Sequence, residues 1–119
     1  MARRVAFARA VVLDPDIMLY DEPMTGLDPI AVSTIRTLMR ETNDALGQTS
    51  LVVTHNVTQI RELADYCYIL ASARIAGEGT PDELAASTEP RVDQFMNGKV
   101  EGPIPFHYEP PGQSWGLLD

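Results

Sequence analysis

The chain has 119 residues, 45% of them hydrophobic and 22% charged, with a formal net charge of −8. This is globular composition with enough apolar material for a core, and an acidic balance with scattered basic side chains argues against a nucleic-acid binder that works by neutralising phosphates. A single cysteine, Cys67, permits no internal disulfide, no apolar run is long enough to cross a bilayer, and Met1-Ala2-Arg3-Arg4 lacks the apolar stretch of a secretory signal. The chain itself is therefore expected to be cytosolic, with any membrane association made through a partner.

In chain order, Met1 to Leu13 mixes Val5, Phe7, Ala8, Val11 and Val12 with Arg3, Arg4 and Arg9, and reads as a helix stopped by Asp14-Pro15. Ile17 to Tyr20 is a short apolar run between Asp-Pro and Asp-Glu-Pro, which suits a strand buried on both faces. Asp28 ahead of Pro29 is a cap followed by a helix-starting proline, and Gly47 closes the helix that runs from Ile30 to Leu46. Ser50 to Thr54 reads as a second buried strand, and Val57 to Tyr66 has helical spacing. Strand, helix, strand, helix implies an α/β fold with a parallel sheet and crossover helices, whose ligands sit at the carboxyl ends of the strands. Two segments, Tyr68 to Ser72 and Arg74 to Glu78, are expected to form a hairpin, with short helices over Pro81 to Ala86 and Glu89 to Met96. Beyond Gly98, four prolines and three glycines predict an extended arm.

Both polar clusters that could carry chemistry fall at predicted strand ends. Asp21-Glu22 closes the first strand and His55-Asn56 the second, 33 positions after Glu22. One carboxylate near a metal and a second beside an attacking water is an arrangement that phosphoryl transfer can use: the metal spreads the charge developing on phosphate, and the second acid orients and polarises the water. An imidazole at a strand end can donate to a phosphate oxygen. Each residue also has a plainer reading: solvated acids at a turn, a capping histidine, and in Asp28 an ordinary helix cap.

Taken together, the apolar strand ending in Asp21-Glu22-Pro23, the following Thr25-Gly26-Leu27-Asp28-Pro29 and the strand ending in His55 resemble the ABC ATPase family in the order Walker B, D-loop and switch histidine. The run from Arg3 to Ala10 is similar to the segment that follows the family's LSGGQ signature. The resemblance implies the C-terminal portion of a P-loop NTPase domain over residues 1–98, with 99–119 as a Pro/Gly-rich arm. It implies ATP and Mg²⁺ as cofactors, Asp21 as the acid associated with Mg²⁺ through water, Glu22 as general base, His55 as the γ-phosphate sensor, and Asp28 in the loop crossing a nucleotide-sandwich dimer.

The phosphate-cradling GxxxxGK[ST] loop, the glutamine loop and LSGG are not found in these 119 residues. Met1 falls where the last residue of LSGGQ would stand, so an internal methionine of a longer frame, or a broken gene, is expected, with a genuine short protein starting at Met1 as the alternative; on the first reading the frame upstream should encode Leu-Ser-Gly-Gly and a glycine loop with Lys. Without the glycine-loop strand, Ser50 to Thr54 is expected to be an unpaired apolar edge, separated from the strand near Tyr68, and the isolated chain is expected neither to fold stably nor to turn over ATP.

The segment Glu89 to Gly98, followed by Glu101-Gly102-Pro103-Ile104-Pro105-Phe106-His107-Tyr108, resembles the end of the ATPase of MCE-linked, Mla-type phospholipid transporters, as does methionine in place of the signature glutamine. That resemblance implies a permease, a second ATPase copy, a STAS-domain regulator and an MCE lipid-binding protein as partners, no nucleic acid, and a place on the cytoplasmic face of the bacterial inner membrane. Phe106 and Tyr108 are the expected anchors of the arm. Two other readings stay open: an inactive fragment or interaction remnant, and a DNA-repair or chromosome-structure ABC ATPase, which long heptad repeats would precede.

Overall fold

A computed structural model describes residues 2–104. The described residues form two compact units, divided between Ala64 and Asp65. In the first, α1 (Ala2–Val12), β1 (Ile17–Asp21), α2 (Pro29–Leu46), β2 (Thr49–Val53) and α3 (Val57–Leu63) follow in order. β1 and β2 pair in parallel, Ile17 with Thr49 through Asp21 with Val53, so α2 is the crossover that parallel pairing requires. Asp28 caps α2 by accepting from the N–H groups of Ile30 and Ala31, Pro29 opens it, and Gly47 closes it at φ 62°, in the left-handed region that glycine enters without a Cβ penalty.

The core of this unit is Met24, Ile35, Met39 and Leu63, with Phe7, Tyr20, Leu27, Val32 and Val52 packed against it. Phe7 of α1 stacks on Tyr20 of β1, ring centroids 6.0 Å apart, and Arg36 of α2 pairs with Glu62 of α3 at 2.7 Å. The expectation of strands buried on both faces is corrected here. Side chains alternate across a sheet, and among the described residues the helices cover only the face that carries Met18, Tyr20 and Val52. Ile17, Leu19, Leu51 and Val53 of the opposite face are exposed, Leu19 at 73%. The helix expected over Val57 to Tyr66 also ends early, at Leu63, where Ala64 turns to extended backbone.

The second unit holds β3 (Cys67–Ala71) and β4 (Arg74–Gly79), an antiparallel hairpin with a bulge at Ile69–Leu70, then α4 (Pro81–Ala85) and α5 (Pro90–Asn97). The two strand pairs are separate sheets, so β2 shares no ladder with β3. Thr80 and Glu83 form a reciprocal capping box on α4. Ile69, Leu84 and Val92 make the core, and burial pushes the Cys67 thiol up. Gln94 is buried and clamps Ile104, donating from Nε2 to its carbonyl at 2.9 Å and accepting its N–H at Oε1 at 2.8 Å. Met1, Phe106, Tyr108 and the rest of 105–119 lie outside the described residues, and no described helix is long and apolar enough to cross a membrane.

Candidate functional site

The parallel register sets the site. Because Asp21 pairs with Val53, both strands end at the same level, and the residues that follow, Glu22 on one side and Thr54-His55 on the other, face each other. The Glu22 N–H continues the ladder by donating to the Val53 carbonyl at 2.7 Å. Glu22 then turns at φ 45°, a conformation uncommon for a residue with a Cβ, and the turn brings its side chain back across the strand ends.

Glu22 Oε1 accepts from the His55 N–H at 3.1 Å and lies 2.6 Å from His55 Nδ1, while Oε2 accepts from Thr25 Oγ1 at 3.1 Å. The hydrogen bond with His55 is the main cause that holds the Glu22 carboxyl below its ordinary range, against partial desolvation, with help from Thr54 and Thr25. The group is therefore a carboxylate at neutral pH. A carboxylate only accepts, so Nδ1 carries the proton in this contact; Nε2 is left to accept from another group when the ring is neutral and to donate when it is charged. His55 is open to solvent, its side chain 79% exposed.

Arg3 of α1, which no sequence pattern places here, donates to the carbonyl of Glu22 at 2.9 Å and to that of Thr25. Thr25 stands out in the sequence only as part of the run Thr25-Gly26-Leu27-Asp28-Pro29. No spacing signal links Arg3 to Glu22, because their meeting depends on how α1 lies against β1. Asn56, beside His55, caps α3 by accepting from the Gln59 N–H.

The structure brings Glu22 and His55 together and places Asp21 at the adjoining strand end, exposed. Asp28 stands apart from this pair with its Oδ1 engaged by the α2 amides at 2.9 Å each. Among the described residues no group of three or more His, Cys, Asp or Glu side chains is placed to hold a metal ion. Mg²⁺ takes six oxygens in near-octahedral geometry and usually draws several from water and substrate phosphates, so Asp21 does not by itself make a metal site.

No family model matches the chain. It is 47% identical over 108 residues, 91% of its length, to the intermembrane phospholipid transport system ATP-binding protein MlaF of Haemophilus influenzae. To the protein of that name from Escherichia coli K12 it is 45% identical over 108 residues. This chain is a homologue of these ATP-binding proteins. A probable ribonucleotide transport ATP-binding protein, mkl of Mycobacterium leprae, is 41% identical over 104 residues, 87% of the chain. The homology covers 41%, 40% and 30% of these three relatives respectively, so the chain spans about two fifths of the length of the MlaF proteins it matches.

Proposed function

We propose that these residues carry the water-activating half of a nucleotide site in an ABC-type ATPase subunit, and that the whole subunit powers phospholipid transport. The observation that carries the reading is the Glu22–His55 contact of 2.6 Å at the ends of two parallel strands. Homology to proteins named for phospholipid transport supports the choice of substrate class.

In this reading residues 1–98 belong to the ATPase domain and 99–119 form an arm. Glu22 is the general base, already ionised; the donors on its oxygens compete with water for the acceptor sites of the carboxylate, and release of one raises its basicity. His55 is the donor best placed to leave, being exposed and carried at the end of its strand. A hydrogen bond from His55 Nε2 to a phosphate oxygen while Nδ1 still holds Glu22 requires the charged ring; once His55 turns away from Glu22, the neutral ring can donate as well. Asp21 is assigned to Mg²⁺ through water, with nucleotide phosphates completing the metal's shell, and Asp28 to the dimer interface in addition to its cap. ATP, Mg²⁺, a permease, a second ATPase copy, a STAS-domain regulator and an MCE protein are the proposed cofactors and partners, and the cytoplasmic face of the bacterial inner membrane the proposed location.

The test is ATP-dependent phospholipid transfer between vesicles by the reconstituted transporter. His55→Ala and Glu22→Gln should each abolish transfer; transfer that survives both would end the roles given to these residues, and no ATP-dependent transfer by the parent complex would end the transport reading. A second reading, an inactive remnant, is favoured by the exposed apolar face of β1 and β2. Mg-dependent ATP turnover by the purified 119-residue chain would exclude it.

A further inference from the structure

The loop that presents Glu22 is held in a conformation its own sequence does not favour. Glu22 sits at φ 45°, where the Cβ crowds the following carbonyl, and such residues persist only where the surroundings fix them. Inside the loop the restraints are weak: the Thr25 N–H reaches the Glu22 carbonyl only at 3.4 Å, and Thr25 Oγ1 restrains the side chain rather than the backbone. From outside, the Val53 carbonyl fixes the Glu22 N–H. What fixes the other side of the turn is Arg3, whose Nη1 and Nη2 reach the carbonyls of Glu22 and Thr25.

We propose that Arg3 is a positioning residue for Glu22: its guanidinium bridges the two carbonyls of the turn, ties the turn to α1, and thereby aims the Glu22 carboxylate. The role rests on the reading of Glu22 as general base. It calls for arginine chemistry, because a planar fork spans two acceptors at once while an ammonium on a flexible stem serves them one at a time. Arg9, exposed on the same helix, is the control for loss of a positive charge.

The experiment uses the ATP-binding subunit that carries this chain, in its transporter complex, with Arg3→Ala, Arg3→Lys, Arg9→Ala and Glu22→Gln. Arg3→Ala should lower kcat for ATP by about tenfold to a hundredfold, the scale of a small misplacement of a catalytic group, and leave KM unchanged. Arg3→Lys should recover part of the loss, Arg9→Ala should match the parent, and Arg3→Ala added to Glu22→Gln should cost nothing further. A crystal structure of the Arg3→Ala subunit should show Glu22 relaxed to negative φ and its contact with His55 broken.

Full kcat in Arg3→Ala beside a dead Glu22→Gln overturns the role of Arg3 and leaves the general base standing. Full kcat in Glu22→Gln overturns the general base instead; the crystal structure then decides Arg3, and a Glu22 that keeps its positive φ and its contact with His55 without Arg3 sinks the inference. If Arg3→Ala does not fold, Arg3→Lys carries the same comparison, and unchanged kcat there is the refuting result.

Discussion

Asp28 offers a quantitative test of how the site is built, because its cap and its proposed interface role respond differently to substitution. Its Oδ1 accepts two N–H groups at the start of the 18-residue helix α2, Ile30 and Ala31, both at 2.9 Å. Asp28→Ala removes that acceptor and leaves both donors to water, at a cost of about 1 kcal/mol and at most ~2 kcal/mol. Asp28→Asn keeps an oxygen in the same place and surrenders only the attraction of a negative charge for the helix start, ~0.3–1 kcal/mol at an exposed position. Urea unfolding of the subunit measures the difference, and hydrogen exchange localises it: the amides of residues 30–33 should open about fivefold more often in the alanine variant. Equal stability of the alanine, asparagine and parent proteins would show that the capping geometry contributes nothing.

Three further outcomes follow from the second unit. A Cβ at Gly77 would stand 2.5 Å from Val92 Cγ2, inside a core made by Ile69, Leu84 and Val92, so Gly77→Ala should destabilise by ~1–3 kcal/mol through overpacking, seen as a lower urea midpoint at unchanged slope. Gln94→Leu removes both partners of the Ile104 backbone; leaving those groups unpaired should cost ~1–3 kcal/mol and speed proteolysis after Lys99. Asp93 is held below its ordinary carboxyl range chiefly by the hydrogen bond from Lys99, then by Asn97. A depressed folded pKa gives stability that is present above the ordinary value of 3.8 and is lost as pH falls through the lower folded value. Acid unfolding should therefore lose this pH-dependent contribution in Asp93→Asn, and an unchanged acid limb would refute it.

Much of the local structure was legible because it is written in short-range chemistry. Asp28-Pro29 and Gly47 bracket α2, Pro81 opens α4, and the apolar runs around Leu19 and Val52 mark the parallel strands. That Glu22 and His55 would lie at strand ends was readable from the alternation of elements; that they would touch was not, since contact depends on the pairing of Asp21 with Val53 and on the left-handed turn at Glu22. Arg3 was invisible as a site residue because its meeting with Glu22 depends on how α1 lies against β1; the burial of Gln48, whose Nε2 donates to the Pro15 carbonyl, was equally hidden. The error about strand burial has a physical source. An apolar run says that a face wants cover, and Leu19 and Leu51 show that the described residues supply it on one side only.

The proposed role of Glu22 in activating water for ATP hydrolysis is open to single-turnover kinetics of the ATP-binding subunit. With Glu22→Gln, Mg-ATP should still bind at close to the parent affinity while release of phosphate falls by a factor on the order of 10²–10⁴, the usual contribution of a positioned base. Phosphate release by Glu22→Gln at the parent rate would contradict the account.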